Sequence, residues 1–255
     1  MIDLHCHILP GIDDGAKTME DSITMAMAAY EEGIHTIVAT PHHQNGRFIN
    51  VKEMVIEKVE ELNEELEIKG VPIKILPGQE VRIHGDLLEE LSKGIAIGVG
   101  ETTNYLLIEF PSGHVPQFAN QILYDLRVEG YRPVIVHPER NREIMENPSV
   151  LYELVKKGIF TQITAASVAG KFGRKIQTFS HQLIEANLTH FIASDAHNTT
   201  TRGFCLQDAY EEVDKQFGNG VSYMFMENAE LLLKGLHINM LEPMPVRRKK
   251  FLGLF

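Results

Sequence analysis

The chain begins MIDLHCHILPGIDDG, with two histidines and two aspartates in its first fifteen residues. In an extended strand alternate side chains share a face, so His5 and His7 point one way and Cys6 the other. Two imidazoles on one face, followed by an acidic loop, have the donor chemistry of a metal site. A first strand with polar ends and a turn at Gly11 is the plainer alternative.

The same residue types recur at the ends of later apolar runs. "IHTIVATPHH" ends on His42 and His43, "IKILPGQEV" carries Glu80, and "YLLIEF" carries Glu109. "PVIVHPER" reaches His137, "FTQITAA" holds Gln162, and "HFIASDAH" ends on Asp195 and His197. In parallel α/β folds the loops after the strand C-termini share one face of the molecule, where active sites are built. Singly, Glu109 reads as an ordinary alternating polar position and "SDAH" as a helix N-cap. At successive strand ends they read as one shared site.

Histidine nitrogens and carboxylate oxygens suit Zn, Mn and Fe, and there are more of them than one ion can use. Two or three ions, with a carboxylate such as Glu80 bridging, fit the count. Such clusters suit phosphoester hydrolysis, since they generate hydroxide from bound water and clamp phosphoryl oxygens. Arg47, Arg140, Arg142 and Arg202 each lie just beyond a candidate ligand, where a guanidinium fork can hold phosphate.

The elements that must position these groups alternate strand-like runs with amphipathic segments, the pattern of βα units around a parallel sheet. "TMEDSITMAMAAYEEG" reads as a helix, with Thr18 and Asp21 at capping-box spacing and Ile23, Met27 and Tyr30 at helical intervals. "VKEMVIEKVEELNEELEIKG" places Val51, Val55, Leu62 and Leu66 near one face; "PQFANQILYDLRVEG" and "NPSVLYELVKKG" are further helices. About seven strands and no Gly/Ser/Pro linker predict a single α/β domain: a distorted (β/α)7 TIM-like barrel of parallel strands over residues 1–240, with a tail over 241–255. A doubly wound open sheet is the alternative.

At 255 residues, 44% hydrophobic and 23% charged, the composition is that of a globular domain. The net charge of −11 argues against a general nucleic-acid binder. Two cysteines define no disulfide framework, and no signal peptide or membrane-spanning run is visible. A cytoplasmic protein without stable membrane insertion is the expectation.

Together, "HCH", "TPHH", "GQE", "VIVHPER" and "SDAH" resemble the motifs of the PHP (polymerase and histidinol phosphatase) superfamily. "DLHCHILPGIDDGA" and "ATPHH" are similar to the bacterial protein-tyrosine phosphatases of capsule and exopolysaccharide loci, the CpsB/YwqE type. The resemblance runs from Ile2 to about Arg202. It implies a distorted seven-stranded barrel with a three-metal cluster, most often of Mn2+, with Fe, Zn or Mg as alternatives. It assigns His5, His7, Glu80 and Asp195 to one ion; Glu80, Glu109 and His137 to a second; and Asp14, His42 and His197 to a third. Many superfamily members carry His where this chain has Asp13 and Asp14; Asp14 is the favoured ligand, with Asp13 the alternative. A His or Cys often stands at the position of Glu109.

The resemblance also implies attack of a metal-bound hydroxide on phosphotyrosine, including that of a cognate bacterial tyrosine kinase, in control of polysaccharide synthesis. Arg140, Arg202 and Arg47 would hold the phosphoryl group, and Asp195 or His197 would assist proton transfer. Thiol-based tyrosine phosphatases need an arginine six positions after the nucleophilic cysteine; Ile12 and Glu211 stand there instead, which excludes that mechanism.

Competing readings are a small-molecule phosphomonoesterase, such as a histidinol phosphatase, and a non-catalytic metal-binding regulatory module. Amidohydrolases share the first-strand HxH but often bridge with lysine, where this chain offers Glu80. The tail PMPVRRKKFLGLF joins consecutive basic residues to an apolar end, either a solvated terminus or a docking segment.

Overall fold

The structure is a computed structural model that describes residues 1–247. Most of the basic and apolar tail run, from Arg248 onward, therefore lies outside the described residues. The strands are β1 Ile2–Cys6, β2 Thr36–Ala39, β3 His42–His43, β4 Lys74–Pro77, β5 Glu80–Arg82, β6 Tyr105–Glu109, β7 Arg132–Val136, β8 Phe160–Thr164 and β9 Phe191–Ala193. The helices are α1 Met19–Glu31, α2 Lys52–Lys69, α3 Leu87–Ser92, α4 Ala119–Val128, α5 Arg142–Glu146, α6 Ser149–Lys156, α7 Ala165–Val168, α8 Arg174–Glu185, α9 Leu206–Phe217 and α10 Asn219–Leu233. A single 3-10 turn covers Pro138–Arg140.

Every strand pair is parallel, in the ladders β1-β2-β4 and β3-β5-β6-β7-β8-β9. The two ladders are continuous, because β2 runs on into β3 past Pro41 and β4 into β5 past Gly78. Each pair is thus one stave with a bend, and the barrel has the seven staves expected from the sequence. The last stave returns to the first: Cys6 bridges Ala196, Asp195 N–H donates to His5 O, and His7 N–H donates to Ala196 O. An open doubly wound sheet lacks such closure.

Both bends have local causes. Proline has no N–H for the ladder. At the second bend a Cβ on Gly78 would stand 2.8 Å from Val38 Cγ1, so only glycine permits that approach. Side chains satisfy backbone groups beside the break: Gln79 accepts from Ile97 N–H and donates to Asn50 O, and Asn63 makes two bonds to Ile75.

The barrel interior is filled by Leu4, Val38, Leu107, Val134, Val136 and Phe191, while Ile37, Ile108, Ile135, Ile163 and Ile192 pack outward against the helices. Each such side chain contributes roughly 1.5–3 kcal/mol on burial. The register slips between Asp3 and Cys6, and the strand bulge lets Leu4 join the interior while His5 faces the mouth.

Thr18 and Asp21 form the capping box at α1, as their spacing predicts. The buried face of α1 differs from the expected one: Met27 and Tyr30 are each 52% exposed, and Ser22, Met25, Ala26 and Ala29 lie inside with Ile23. Small residues on that face let the helix approach the staves closely. In α2 the expected face holds, with Val55, Val59, Leu62 and Leu66 buried and Val51 at the N-cap.

His190, just before β9, is buried and its Nδ1 accepts from Thr161 N–H. Burial pushes its pKa down to about 4. The unfolded chain takes up this proton near pH 6.5 while the folded chain resists until about 4, so stability falls as pH drops through that window. Compared with the parent, His190→Asn is expected to lose up to about 3 kcal/mol less stability between pH 6.5 and 4 in urea-unfolding series. Parallel curves for the two proteins would exclude this coupling.

Candidate metal centre

The strand ends converge as their positions predict. His5 and His7 come from β1, Asp14 from the following loop, His42 from β3, Glu80 from β5 and Glu109 from β6. His137 follows β7, and Asp195 and His197 follow β9. Two of these turn away from the strand through left-handed backbone: His137 with φ 38° and Asp195 with φ 53°. Such conformations are uncommon for residues other than glycine and cluster at functional sites.

In one group, His5 Nε2 lies 3.3 Å from His7 Nε2, and both lie 3.3–3.5 Å from Glu80 Oε2 and Asp195 Oδ1. Four donors at about 2.1 Å from a common centre stand roughly 3.4 Å apart in a tetrahedron. The second group is Asp14 Oδ1, 3.4 Å from both His42 Nε2 and His197 Nε2, close to His7. In the third, Glu80 Oε1 meets His137 Nε2 at 2.7 Å, while Glu109 joins Glu80 and His42.

Polar partners behind the cluster fix the ring orientations. His5 Nδ1 donates to Gln162 Oε1 at 2.8 Å, His7 Nδ1 to Asp13 Oδ2 at 2.7 Å, and His197 Nδ1 to Asp195 O at 2.9 Å. With Nδ1 carrying the proton, each Nε2 lone pair faces the cluster. Asp13 also accepts from Gly15 and His42 N–H, so of the two adjacent aspartates Asp14 stands in the cluster and Asp13 behind it.

The buried donor atoms fit a cation. Glu80 Oε2 and His197 Nε2 are buried with no hydrogen-bond partner. His42 Nδ1 is also without one, although Glu80 Oε2 lies 2.8 Å away, because the geometry is not that of a hydrogen bond. The residue set accordingly fits divalent ions with mixed N/O ligands.

Electrostatics say the same. Burial pushes the Glu80 carboxyl up, but His5 and His42 outweigh it and hold it well below the usual carboxylate range. Burial opposes protonation of His42, yet Glu80 and Asp14 raise its pKa to about 10. Burial, then the nearby His7, drives His197 down to about 4. Protons on His5, His7 and His42 balance the carboxylates here, and a bound divalent ion would displace them.

Arg140 and Arg202 reach the mouth. Arg140 Nη2 donates to Asp195 Oδ2 at 2.6 Å; Arg202 Nη2 lies 3.2 Å from the same oxygen, and Arg202 Nη1 lies 3.8 Å from Asp14. They share a cavity of about 300 Å³ with His42, Glu80, Glu109 and His137. Arg47 is not brought into this group: it is exposed, and its guanidinium lies over the Phe48 ring at 4.9 Å. Arg142 is likewise exposed. His43 turns away from His42, as strand alternation requires, and pairs with Glu90 at 3.0 Å.

Three contributors carried no assigned role in the sequence. Gln162 was visible only as a strand-end polar residue. Arg82, whose Nε and Nη2 hold Glu109 Oε2 at 2.9 and 2.8 Å, lies two residues after Glu80 and so shares its face of β5. Phe172, beneath Arg140 at 5.7 Å, sits in a loop with no periodic signal.

Cys6 is buried on the outer face, where burial pushes its thiol well up, so it is no nucleophile.

A parallel α/β barrel with histidines and carboxylates gathered at the C-terminal mouth is the framework of a metal-centre hydrolase. The chain belongs to the family described as "Capsular polysaccharide synthesis, CpsB/CapC", which matches residues 1–234. It is 52% identical to the tyrosine-protein phosphatase YwqE of Bacillus subtilis (strain 168) over 255 residues, all of both chains. It is 31% identical to the tyrosine-protein phosphatase CpsB of Streptococcus agalactiae serotype III (strain NEM316), over 93% of this chain and 100% of that one. A crystal structure from a study of YwqE of Bacillus subtilis and CpsB of Streptococcus pneumoniae, described as "unique metal-dependent tyrosine phosphatases", matches with a TM-score of 0.95 at 53% identity. It covers 97% of this chain and 100% of its own.

Gly15 holds the Asp13–Asp14 loop against β1. A Cβ there would stand 1.9 Å from His7 O, with only backbone to yield. Gly15→Ala is expected to lower stability by about 1–3 kcal/mol and to reduce divalent-metal content, read by urea unfolding and elemental analysis. Retention of both would show that the loop does not depend on this approach.

Proposed function

We propose that this chain is a metal-dependent tyrosine-protein phosphatase. The observation that carries the reading is a buried His/carboxylate cluster with two guanidinium groups at its mouth, in a chain sharing half its residues with YwqE over its full length. His5, His7, Glu80 and Asp195 would hold one ion, Glu80, Glu109 and His137 a second, and Asp14, His42 and His197 a third. Mn2+ is the ion we favour on the resemblance to the capsule-locus phosphatases; the mixed imidazole and carboxylate donors themselves suit Zn, Mn and Fe alike. Ions so held supply Lewis acidity and lower the pKa of water near neutral pH.

The chain's own groups do the rest. Arg140 and Arg202 offer forked N–H donors to phosphoryl oxygens in the mouth and counter their charge in the transition state. Tyrosine leaves as a phenolate whose conjugate acid has a pKa near 10, so departure needs little help from a protein acid. Asp195 or His197 would assist what proton transfer remains. Asp195 has both oxygens engaged and His197 Nδ1 is tied to a carbonyl, while His197 Nε2 has no hydrogen-bond partner. Gln162 and Asp13 hold His5 and His7 in orientation, and Arg82 holds Glu109.

The names of the relatives support tyrosine-phosphorylated proteins as substrates. We extend this to a bacterial tyrosine kinase, to control of capsule or exopolysaccharide synthesis, and to a cytoplasmic setting. Among the described residues no helix is long and apolar enough to cross a membrane.

Metal analysis paired with assays on phosphotyrosyl peptides and histidinol phosphate tests the reading. Turnover of the peptides with Mn2+ is expected, and Glu80→Ala or His137→Ala should reduce it by more than about 100-fold, beyond the 10–100-fold typical of outer partners. Unchanged metal content and rate in both variants would falsify the site, and preference for histidinol phosphate would favour a small-molecule phosphatase.

The two aspartates should separate by metal titration. Asp14→Ala is expected to lower the number of ions bound, whereas Asp13→Asn should keep the number and weaken affinity by about 10–100-fold. The reverse pattern would exchange their roles.

A further inference from the structure

Beside the mouth runs a second open cavity of about 500 Å³, between α5 and α8, lined by Met145, Arg174, Lys175, Thr178, Phe179 and Gln182. Two features tie it to the candidate metal centre. Asn141, which lines the mouth, is the N-cap of α5, and Met145 follows four residues on, about 6 Å along that helix. Phe172, which lies under Arg140, precedes Gly173 and the start of α8. The cavity thus lies on the side of the mouth formed by α5 and the loop leading into α8.

The charge is unlike that of the whole chain. The protein carries a net −11, yet Arg174 and Lys175 are exposed and have no carboxylate partner among the described residues. Lys171, by contrast, is paired with Asp208. Arg142, on α5 at the mouth side, is also exposed and without a carboxylate partner among the described residues. Free cations at an open cavity beside a site for an anionic group favour negatively charged side chains.

We propose that this cavity binds acidic residues flanking the phosphotyrosine of a protein substrate, with carboxylates on Arg174 and Lys175 and apolar stems against Met145 and Phe179. The proposal rests on the tyrosine-phosphatase reading above. At about 3.3 Å per extended residue, acidic positions two to four residues from the phosphotyrosine reach roughly 7–13 Å beyond it, and the test scans that range.

The test compares phosphotyrosyl peptides carrying Asp/Glu or Lys at those positions on either side, with free phosphotyrosine as a flank-free reference and Mn2+ present. The parent is expected to show at least 5-fold higher kcat/KM for the acidic series on one side, shrinking as salt rises. Arg174→Glu/Lys175→Glu should abolish or invert that order, relative to the free-phosphotyrosine rate. Fluorescence anisotropy of the same peptides provides an arm that does not depend on turnover, with tighter binding of the acidic series expected in the parent alone. Equal treatment of both series by the parent, or an acidic preference of the same size in the variant, overturns the proposal. Absence of turnover on every phosphotyrosine substrate overturns the phosphatase reading instead, and the anisotropy order still decides the role of the cavity.

Discussion

The carboxylate of Glu80 is the constraint around which the mouth of the barrel is arranged. It is fully buried, and Oε2 has no hydrogen-bond donor of its own. A buried carboxylate without compensation costs several kcal/mol. The compensation is cationic: His5, His7 and His42 stand within 2.8–3.5 Å of Oε2, and His137 donates to Oε1. These histidines come from three other staves, so the charge of one side chain draws on strands far apart in sequence, and removing any of the three would cost it a partner. The bend at Gly78 has the same logic. It lets the third stave turn so that Glu80 reaches the centre, with Gln79 satisfying backbone around the break.

The strained backbone follows from that arrangement. His137 and Asp195 adopt left-handed conformations that cost of order 1–3 kcal/mol each. His137 is placed by its N–H donating to Gln162 O, and Asp195 by its N–H donating to His5 O. Both are ladder-like bonds to a neighbouring stave, so regular sheet pairing holds the irregular residues in place.

Much of the fold and of the cluster was legible because strand alternation and βα order are written in local sequence. His5 and His7 on one face, His43 opposite His42, and the capping box at Thr18 all follow from periodicity. The parts that were not legible depend on contacts between distant segments. Asp13 and Asp14 are chemically equivalent in sequence, and only the position of His7 Nδ1 separates them. Arg47 lies five residues past His42, the same spacing as Arg202 from His197, yet loop geometry sends it to Phe48 and not to Asp195. The Met27 and Tyr30 face of α1 obeyed helical spacing but lost to closer packing of Ala26 and Ala29. Spacing fixes which residues share a face; it does not fix which face the neighbours accept.

Asp195 joins the two chemistries of the mouth. Its Oδ1 faces His5 and His7 and also accepts from Arg202, while Oδ2 accepts from Arg140 and Arg202. The two oxygens share one delocalised charge, so a cation drawing on Oδ1 weakens the hold of Oδ2 on the guanidinium groups. Arg140 stays close by through its contact with Phe172, and Arg202 through Asp14. Their N–H donors would then become available to another anion in the same cavity without a change of fold. Cation binding and phosphoryl binding at the proposed site would thereby be coupled through one carboxylate, and the coupling would be reciprocal: an anion taking the guanidinium donors would return charge to Oδ1 and strengthen its grip on a cation.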